Sequence, residues 1–278
     1  MTDPGPFEIR GRTAVVTGAG SGIGEGLARA LAAEGCSVVV SDVEGDRAAA
    51  VAADIGPSAL GVRTDVADRD SVAELAAAAR DRFGAVHLLF NNAGVSYHRR
   101  GIHATYEDWQ WVLGVNLWGV VHGVTEFLPA MLESGEDCHI VNTASMNGIV
   151  PSAHSAMYSA SKYGVVGLTE TLHNELQGTR VGVTALCPAG VTTRITDSVR
   201  NRPDWAAQAD GTRPPHAPSS SFDISPPLQP AEVAQLTLDG VRNRALYVFT
   251  DPKVQALLEA HHATMLAAFA PLTAAAAG

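Results

Sequence analysis

Short, β-branched apolar runs recur along the chain, and alanine-rich stretches of helical length lie between them. The runs are TAVVT at 13–17, SVVVS at 37–41, LGVRT at 60–64, VHLLF at 86–90, CHIVNTA at 138–144, VGVTALC at 181–187 and ALYVF at 245–249. Helices are expected over Leu27–Glu34, Ser71–Phe83, Tyr158–Gln177 and Glu232–Val241, and over one long stretch from about Tyr106 to Leu132. Strands that are continuously apolar rather than alternating are covered on both faces, and β–α alternation with helical crossovers makes a parallel sheet. The pattern predicts an α/β fold, a doubly wound parallel sheet of about seven strands with helices on both faces. No break in composition marks a second domain, so residues 1–278 read as a single domain.

Two segments depart from this rhythm. Residues 192–230 hold seven of the 15 prolines (Pro203, Pro214, Pro215, Pro218, Pro226, Pro227 and Pro230), and a loop of this length is expected to act as a lid. The C-terminal TMLAAFAPLTAAAAG reads as a fraying alanine-rich tail or as a strip buried against a partner subunit.

Composition narrows the partners. With 46% hydrophobic and 17% charged residues the chain can bury a sizeable core, and its net charge of −10 argues against nucleic acid and acidic membranes. Cys36, Cys138 and Cys187 are odd in number and lie in apolar contexts, which suits reduced thiols rather than disulfides or a metal knot. Neither an export segment nor a membrane span is legible, so a cytoplasmic location is expected.

The stretch TGAGSGIGEG directly follows the first strand and runs into the first helix. Unsatisfied N–H groups at a helix N-terminus carry the positive end of the dipole, so a turn bare of side chains lets a pyrophosphate approach closely. The pattern is T-G-x-x-x-G-x-G through Thr17, Gly18, Gly22 and Gly24, neither G-x-G-x-x-G nor a P-loop. Asp42, at the end of the second strand, stands where dinucleotide folds hold the adenosine ribose diol. Its charge opposes a 2′-phosphate and neither Ser41 nor Val43 is basic, so NAD is expected in preference to NADP.

Combined with NNAG at Asn91–Gly94 and Y-x-x-x-K at Tyr158–Lys162, the glycine pattern resembles the short-chain dehydrogenase/reductase family of the single-domain, Rossmann-like kind. The resemblance runs from about Gly11 to Phe249 and implies a catalytic tetrad of Asn116, Ser145, Tyr158 and Lys162. It further implies that Gly18, Ser21, Gly22, Ile23 and Gly24 cradle the cofactor. Asp65 and Val66 would border the adenine, and Asn91, Ala93 and Gly94 would line the adenosine side. Pro188, Gly190, Val191 and Thr193 would sit beside the nicotinamide, although Ala189 interrupts the usual Pro-Gly pair. A homotetramer or homodimer is also implied.

Tyr158 and Lys162 are four apart on a predicted helix and share one face. A tyrosine needs its pKa lowered from about 10 to near 7 to act as a base, roughly 4 kcal/mol of differential stabilisation. A cation at about 4 Å in an effective dielectric near 20 contributes about that much. By the resemblance Tyr158 takes the hydroxyl proton of a secondary alcohol as hydride leaves for NAD, Ser145 hydrogen-bonds the substrate oxygen, and Asn116 positions a relaying water. Met146, Asn147, His154 and Trp205 are candidate substrate contacts, and Trp205, Phe222 and Ile224 suggest an apolar alcohol or ketone. The histidines have no metal-ligand spacing, and no metal is expected. A nucleotide-sugar epimerase or dehydratase would show a shorter glycine spacing and an added C-terminal domain, and neither is expected here; an NADP-preferring ketoreductase and a catalytically silent dinucleotide-binding sensor stay as alternatives.

Overall fold

The computed structural model describes residues 5–206 and 224–272. Its sheet is built from β1 (Thr13–Thr17), β2 (Ser37–Asp42), β3 (Ala59–Arg63), β4 (Leu88–Asn91), β5 (Cys138–Thr143), β6 (Val181–Cys187) and β7 (Tyr247–Phe249). All neighbouring strands run parallel in the order β3-β2-β1-β4-β5-β6-β7. The chain winds outward to one side from β1 and then to the other from β4, so the crevice at the carboxyl ends of β1 and β4 is where such a sheet accepts a ligand.

The helices are α1 (Gly22–Ala33), α2 (Gly45–Ile55), α3 (Arg69–Phe83), α4 (Tyr106–Leu113), α5 (Gly119–Ser134), α6 (Ala156–Glu175), α7 (Pro230–Arg242) and α8 (Val254–Ala267). Successive side chains of a strand point to opposite faces, which sorts the core into two layers. Ala14 and Val16 of β1 join Leu27 and Leu31 of α1 and Leu238 of α7, whereas Val15 joins Leu75 of α3 and Phe127 and Met131 of α5. Leu27, Leu31 and Leu75 are fully buried in these layers.

Three expectations change. The long stretch from Tyr106 to Leu132 is two α-helices joined by a π-helical turn at Gly114–Trp118, and Asn116 sits in that turn. Helix α2 was not legible because its buried face consists of Ala48, Val51 and Ala52, whose small side chains leave a faint pattern. Helix α8 takes up the start of the expected alanine-rich tail; residues 273–278 lie outside the described part. Of the segment expected to act as a lid, Ile195–Asn201 and Asp204–Ala206 form 3-10 turns, and Leu228 bridges to Val191. Phe222 and His216 lie outside the described residues.

The three cysteines are free and buried, and burial pushes the Cys36 thiol up to about 11 and the Cys187 thiol up to about 12. Among the described residues no helix is long and apolar enough to cross a membrane.

Candidate active site

A cavity of about 910 Å³ opens along the carboxyl ends of the strands. Its floor begins at the glycine turn. Gly18 has φ +63°, and a Cβ there would stand 2.7 Å from the Cα of Ala93; at Gly24 a Cβ would meet the Gly18 carbonyl oxygen at 2.3 Å. Side chains at either place would collide with backbone, so the turn is bare because the chain passes itself there. Gly22, also left-handed at φ +59°, opens α1 and faces the Thr193 side chain across the cleft. This exposed helix start, bounded by Ser21 and Ile23, fits a pyrophosphate.

Asp42 closes the far end. Its Oδ2 accepts from the Gly20 amide at 2.9 Å and its Oδ1 from the Glu44 amide at 2.9 Å, which fixes the carboxylate at the cavity wall. Asp65 and Val66 line the same end, and Asp65 Oδ1 takes the Ala67 amide at 3.0 Å. Ala93, Gly94, Pro188, Gly190, Val191 and Thr193 are on the wall as well.

Asn91 is different and corrects an expectation. It is buried at the end of β4, and its Nδ2 donates to Asn142 Oδ1 at 2.9 Å, away from the cavity. Its neighbour Asn92 reaches the glycine turn instead, donating from Nδ2 to the Thr17 carbonyl at 2.9 Å. The Thr17 hydroxyl accepts the Asn92 and Ala93 amides at 3.0 and 3.1 Å, so β1 and β4 are sewn together under the cradle.

The expected tetrad residues come from three elements: the π-helical turn holds Asn116, the turn after β5 holds Ser145, and α6 holds both Tyr158 and Lys162. Lys162 is 2% exposed on α6; its Nζ donates to the Thr143 carbonyl at 2.7 Å and lies 5.7 Å from the Tyr158 ring centroid. Burial lowers the Lys162 ammonium to about 8. Burial also pushes the Tyr158 phenol above its ordinary value, opposed by a hydrogen bond with Ser145. The Lys162 ammonium, for its part, is engaged by the Thr143 carbonyl. Ser145 caps the short turn Met146–Gly148, its Oγ accepting the Asn147 amide at 3.2 Å.

Asn116 is fully buried and does not line the cavity. Its Oδ1 accepts the Val95 amide at 2.8 Å, while its Nδ2 donates to the Val95 carbonyl at 2.9 Å and to Ser161 Oγ at 3.1 Å. A Cβ built on Gly94 would lie 3.4 Å from Asn116 Oδ1 and 3.6 Å from Lys162 Nζ, so Asn116 holds the wall that faces the lysine.

Met146, Asn147 and Trp205 line the cavity, but His154 does not. It occupies a left-handed position, φ +64°, in the loop before α6, where its carbonyl accepts the Arg99 amide at 2.9 Å. His98 takes the place expected for it, lining the cavity with Nε2 3.0 Å from Ser96 Oγ and Nδ1 3.4 Å from Ser155 Oγ. The signal was available: His98 follows β4 at the same sheet edge as the glycine turn, where ligand-contacting loops gather.

A family model described as short chain dehydrogenase matches residues 12–204. The chain belongs to the short-chain dehydrogenase family. Its similarity to members of that family runs through nearly the whole chain. It is 32% identical over 270 residues to a C alpha-dehydrogenase of Sphingobium sp. strain SYK-6, covering 95% of this chain and 88% of that protein. With a 1-deoxy-11-beta-hydroxypentalenate dehydrogenase of Streptomyces avermitilis it shares 38% identity over 202 residues, covering 68% of this chain and 72% of that one. A short-chain dehydrogenase/reductase from Burkholderia phymatum, solved in complex with NAD, superposes with a TM-score of 0.86 at 39% identity, covering 93% of this chain and 95% of that one. This short-chain dehydrogenase is thus an alcohol-type oxidoreductase that uses a nicotinamide nucleotide.

Proposed function

We propose that this enzyme moves hydride between NAD and a secondary alcohol or its ketone, with Tyr158 as the proton-transferring group. This reading rests above all on one arrangement: Tyr158 and Lys162, one helical turn apart and both buried, share a cavity with the bare glycine turn and Asp42. When bound, NAD supplies the hydride acceptor. Gly18, Gly22 and Asp42 would hold it, the two glycines by clearing the helix start and Asp42 by accepting from the ribose diol, whose 2′-hydroxyl is phosphorylated in NADP.

Tyr158 holds the proton at its phenolic oxygen, and Ser145 shares a hydrogen bond with that hydroxyl and with a substrate oxygen beside it. A phenol raised by burial is a poor base on its own. Lys162 supplies the compensating charge, and its Thr143 hydrogen bond fixes the ammonium's direction. Trp111, Met146, Ile195, Ile224 and Trp205 give the substrate half an apolar wall, which favours a hydrophobic alcohol. The names of the relatives, a C alpha-dehydrogenase and a hydroxypentalenate dehydrogenase, support oxidation of carbinol carbons.

A panel of hydrophobic secondary alcohols and ketones, followed by nicotinamide absorbance with NAD and NADP in parallel, tests the proposal. Turnover with NAD is expected. A wide preference for NADP would overturn the reading of Asp42, and failure of every alcohol and ketone would overturn the reaction.

A further inference from the structure

The turn after β2 carries a second carboxylate whose partners come from distant parts of the chain. Glu44 Oε1 accepts from Arg200 Nε at 2.7 Å and from Asn201 Nδ2 at 3.0 Å; its Oε2 lies 3.7 Å from Arg47 Nε and 3.8 Å from Arg194 Nη1. Arg194 and Arg200 belong to the segment after β6, so they reach across the cavity mouth to the cofactor side. Arg200 is further fixed there by its own Nη1, which donates to the carbonyls of Arg194 and Asp197 at 3.1 and 2.9 Å.

This cluster is continuous with the ribose corner. Arg47 Nε donates to the Gly20 carbonyl at 3.0 Å, the Gly20 amide donates to Asp42, and the Glu44 amide donates to the other oxygen of Asp42. Asp42, Gly20, Arg47 and Glu44 therefore close a ring, with Arg194 and Arg200 docked on its outer member. Burial pushes the Glu44 carboxyl up, but hydrogen bonds from Asn201 and Arg200 and the charges of Arg200 and Arg194 outweigh it and hold the group below the usual carboxylate range.

Three guanidinium groups stand beside the ribose corner and Glu44 is the carboxylate that reaches all of them, while Arg194 also pairs with Asp197, its Nη2 3.7 Å from Oδ2. Arginine forks bind phosphate and carboxylate alike. We propose that Glu44 is a second cofactor-selectivity residue, which occupies Arg200, Arg194 and Arg47 and so denies a 2′-phosphate the cationic site they would otherwise offer. Asp42 then repels the 2′-phosphate directly, and Glu44 removes its counter-charges. The cofactor choice is in this way shared with the lid, because two of the three arginines are lid residues.

The inference rests on the NAD reading above, and the test separates the two. NADH and NADPH are titrated against the full chain by nucleotide fluorescence for wild type, Glu44→Gln, Arg200→Ala and the double variant. The Kd ratio of NADPH to NADH is expected to fall by at least about tenfold in Glu44→Gln, the worth of one charge-assisted hydrogen bond. Adding Arg200→Ala is expected to cancel most of that gain. A ratio that does not move in Glu44→Gln, or a gain that survives removal of Arg200, overturns the proposal. Glu44→Ser repeats the measurement should the glutamine chain fold poorly, and is judged by the same outcomes. A wild type that binds NADPH more tightly than NADH overturns the NAD reading, while the role of Glu44 still stands or falls on the ratio of variant to wild type.

Discussion

Replacing Lys162 with methionine removes a buried charge while keeping most of the side-chain volume. In the folded chain burial lowers this ammonium to about 8 from 10.5. A difference of about 2.5 units corresponds to about 3 kcal/mol of preference for the neutral amine in the native state. The sign follows from linkage. Between these two values the unfolded chain keeps the proton that the folded chain has lost, so wild-type stability rises with pH there. The contribution is fully present above the unfolded value and is lost as pH falls through about 8. Between about pH 7 and about pH 9.5, wild type should gain about 2 kcal/mol relative to Lys162→Met. Urea unfolding of both proteins at the two pH values reads this difference directly, since the thiols and phenols common to both cancel. At neutral pH the two stabilities should be similar, because the methionine chain escapes the desolvation of a charge but leaves the Thr143 carbonyl without its donor, at roughly 1–3 kcal/mol. A wild-type advantage that is the same at both pH values would refute the placement of a dehydrated ammonium beneath the cavity. Turnover should be lost in Lys162→Met at every pH.

Tyr158→Phe should lower kcat by roughly 10²–10⁴-fold while NADH fluorescence titration still finds binding, and retained turnover would refute its role. Gly18→Ala forces a side chain into a left-handed position 2.7 Å from the Ala93 Cα, so it should cost roughly 2 kcal/mol or more in urea unfolding and abolish nucleotide binding. His98→Ala should raise KM for an accepted alcohol, whereas His154→Ala should leave steady-state kinetics as they are; the reverse result would refute His98 as a substrate contact.

The sequence by itself determined the sheet, the glycine cradle and the tetrad candidates. The strands, the glycine spacing and the Tyr158–Lys162 pair are legible from neighbouring letters, whereas Asn116 and Ser145 were named by the family resemblance. Continuous apolar runs have no stable place except between two helical layers, a turn crossed by backbone at 2.3–2.7 Å admits only glycine, and Tyr158 and Lys162 meet because four residues make one helical turn. What the tertiary structure decided depends on side-chain direction and on contacts distant in sequence. Asn91 and Asn92 are adjacent letters, yet one is buried behind the sheet and the other braces the cradle. The left-handed backbone at His154 takes its ring off the wall that His98 lines. Burial in the folded chain pushes the Tyr158 phenol up, which helical spacing alone does not show. Arg194 and Arg200 reach Glu44 from about 150 residues away, a separation that no local spacing rule spans.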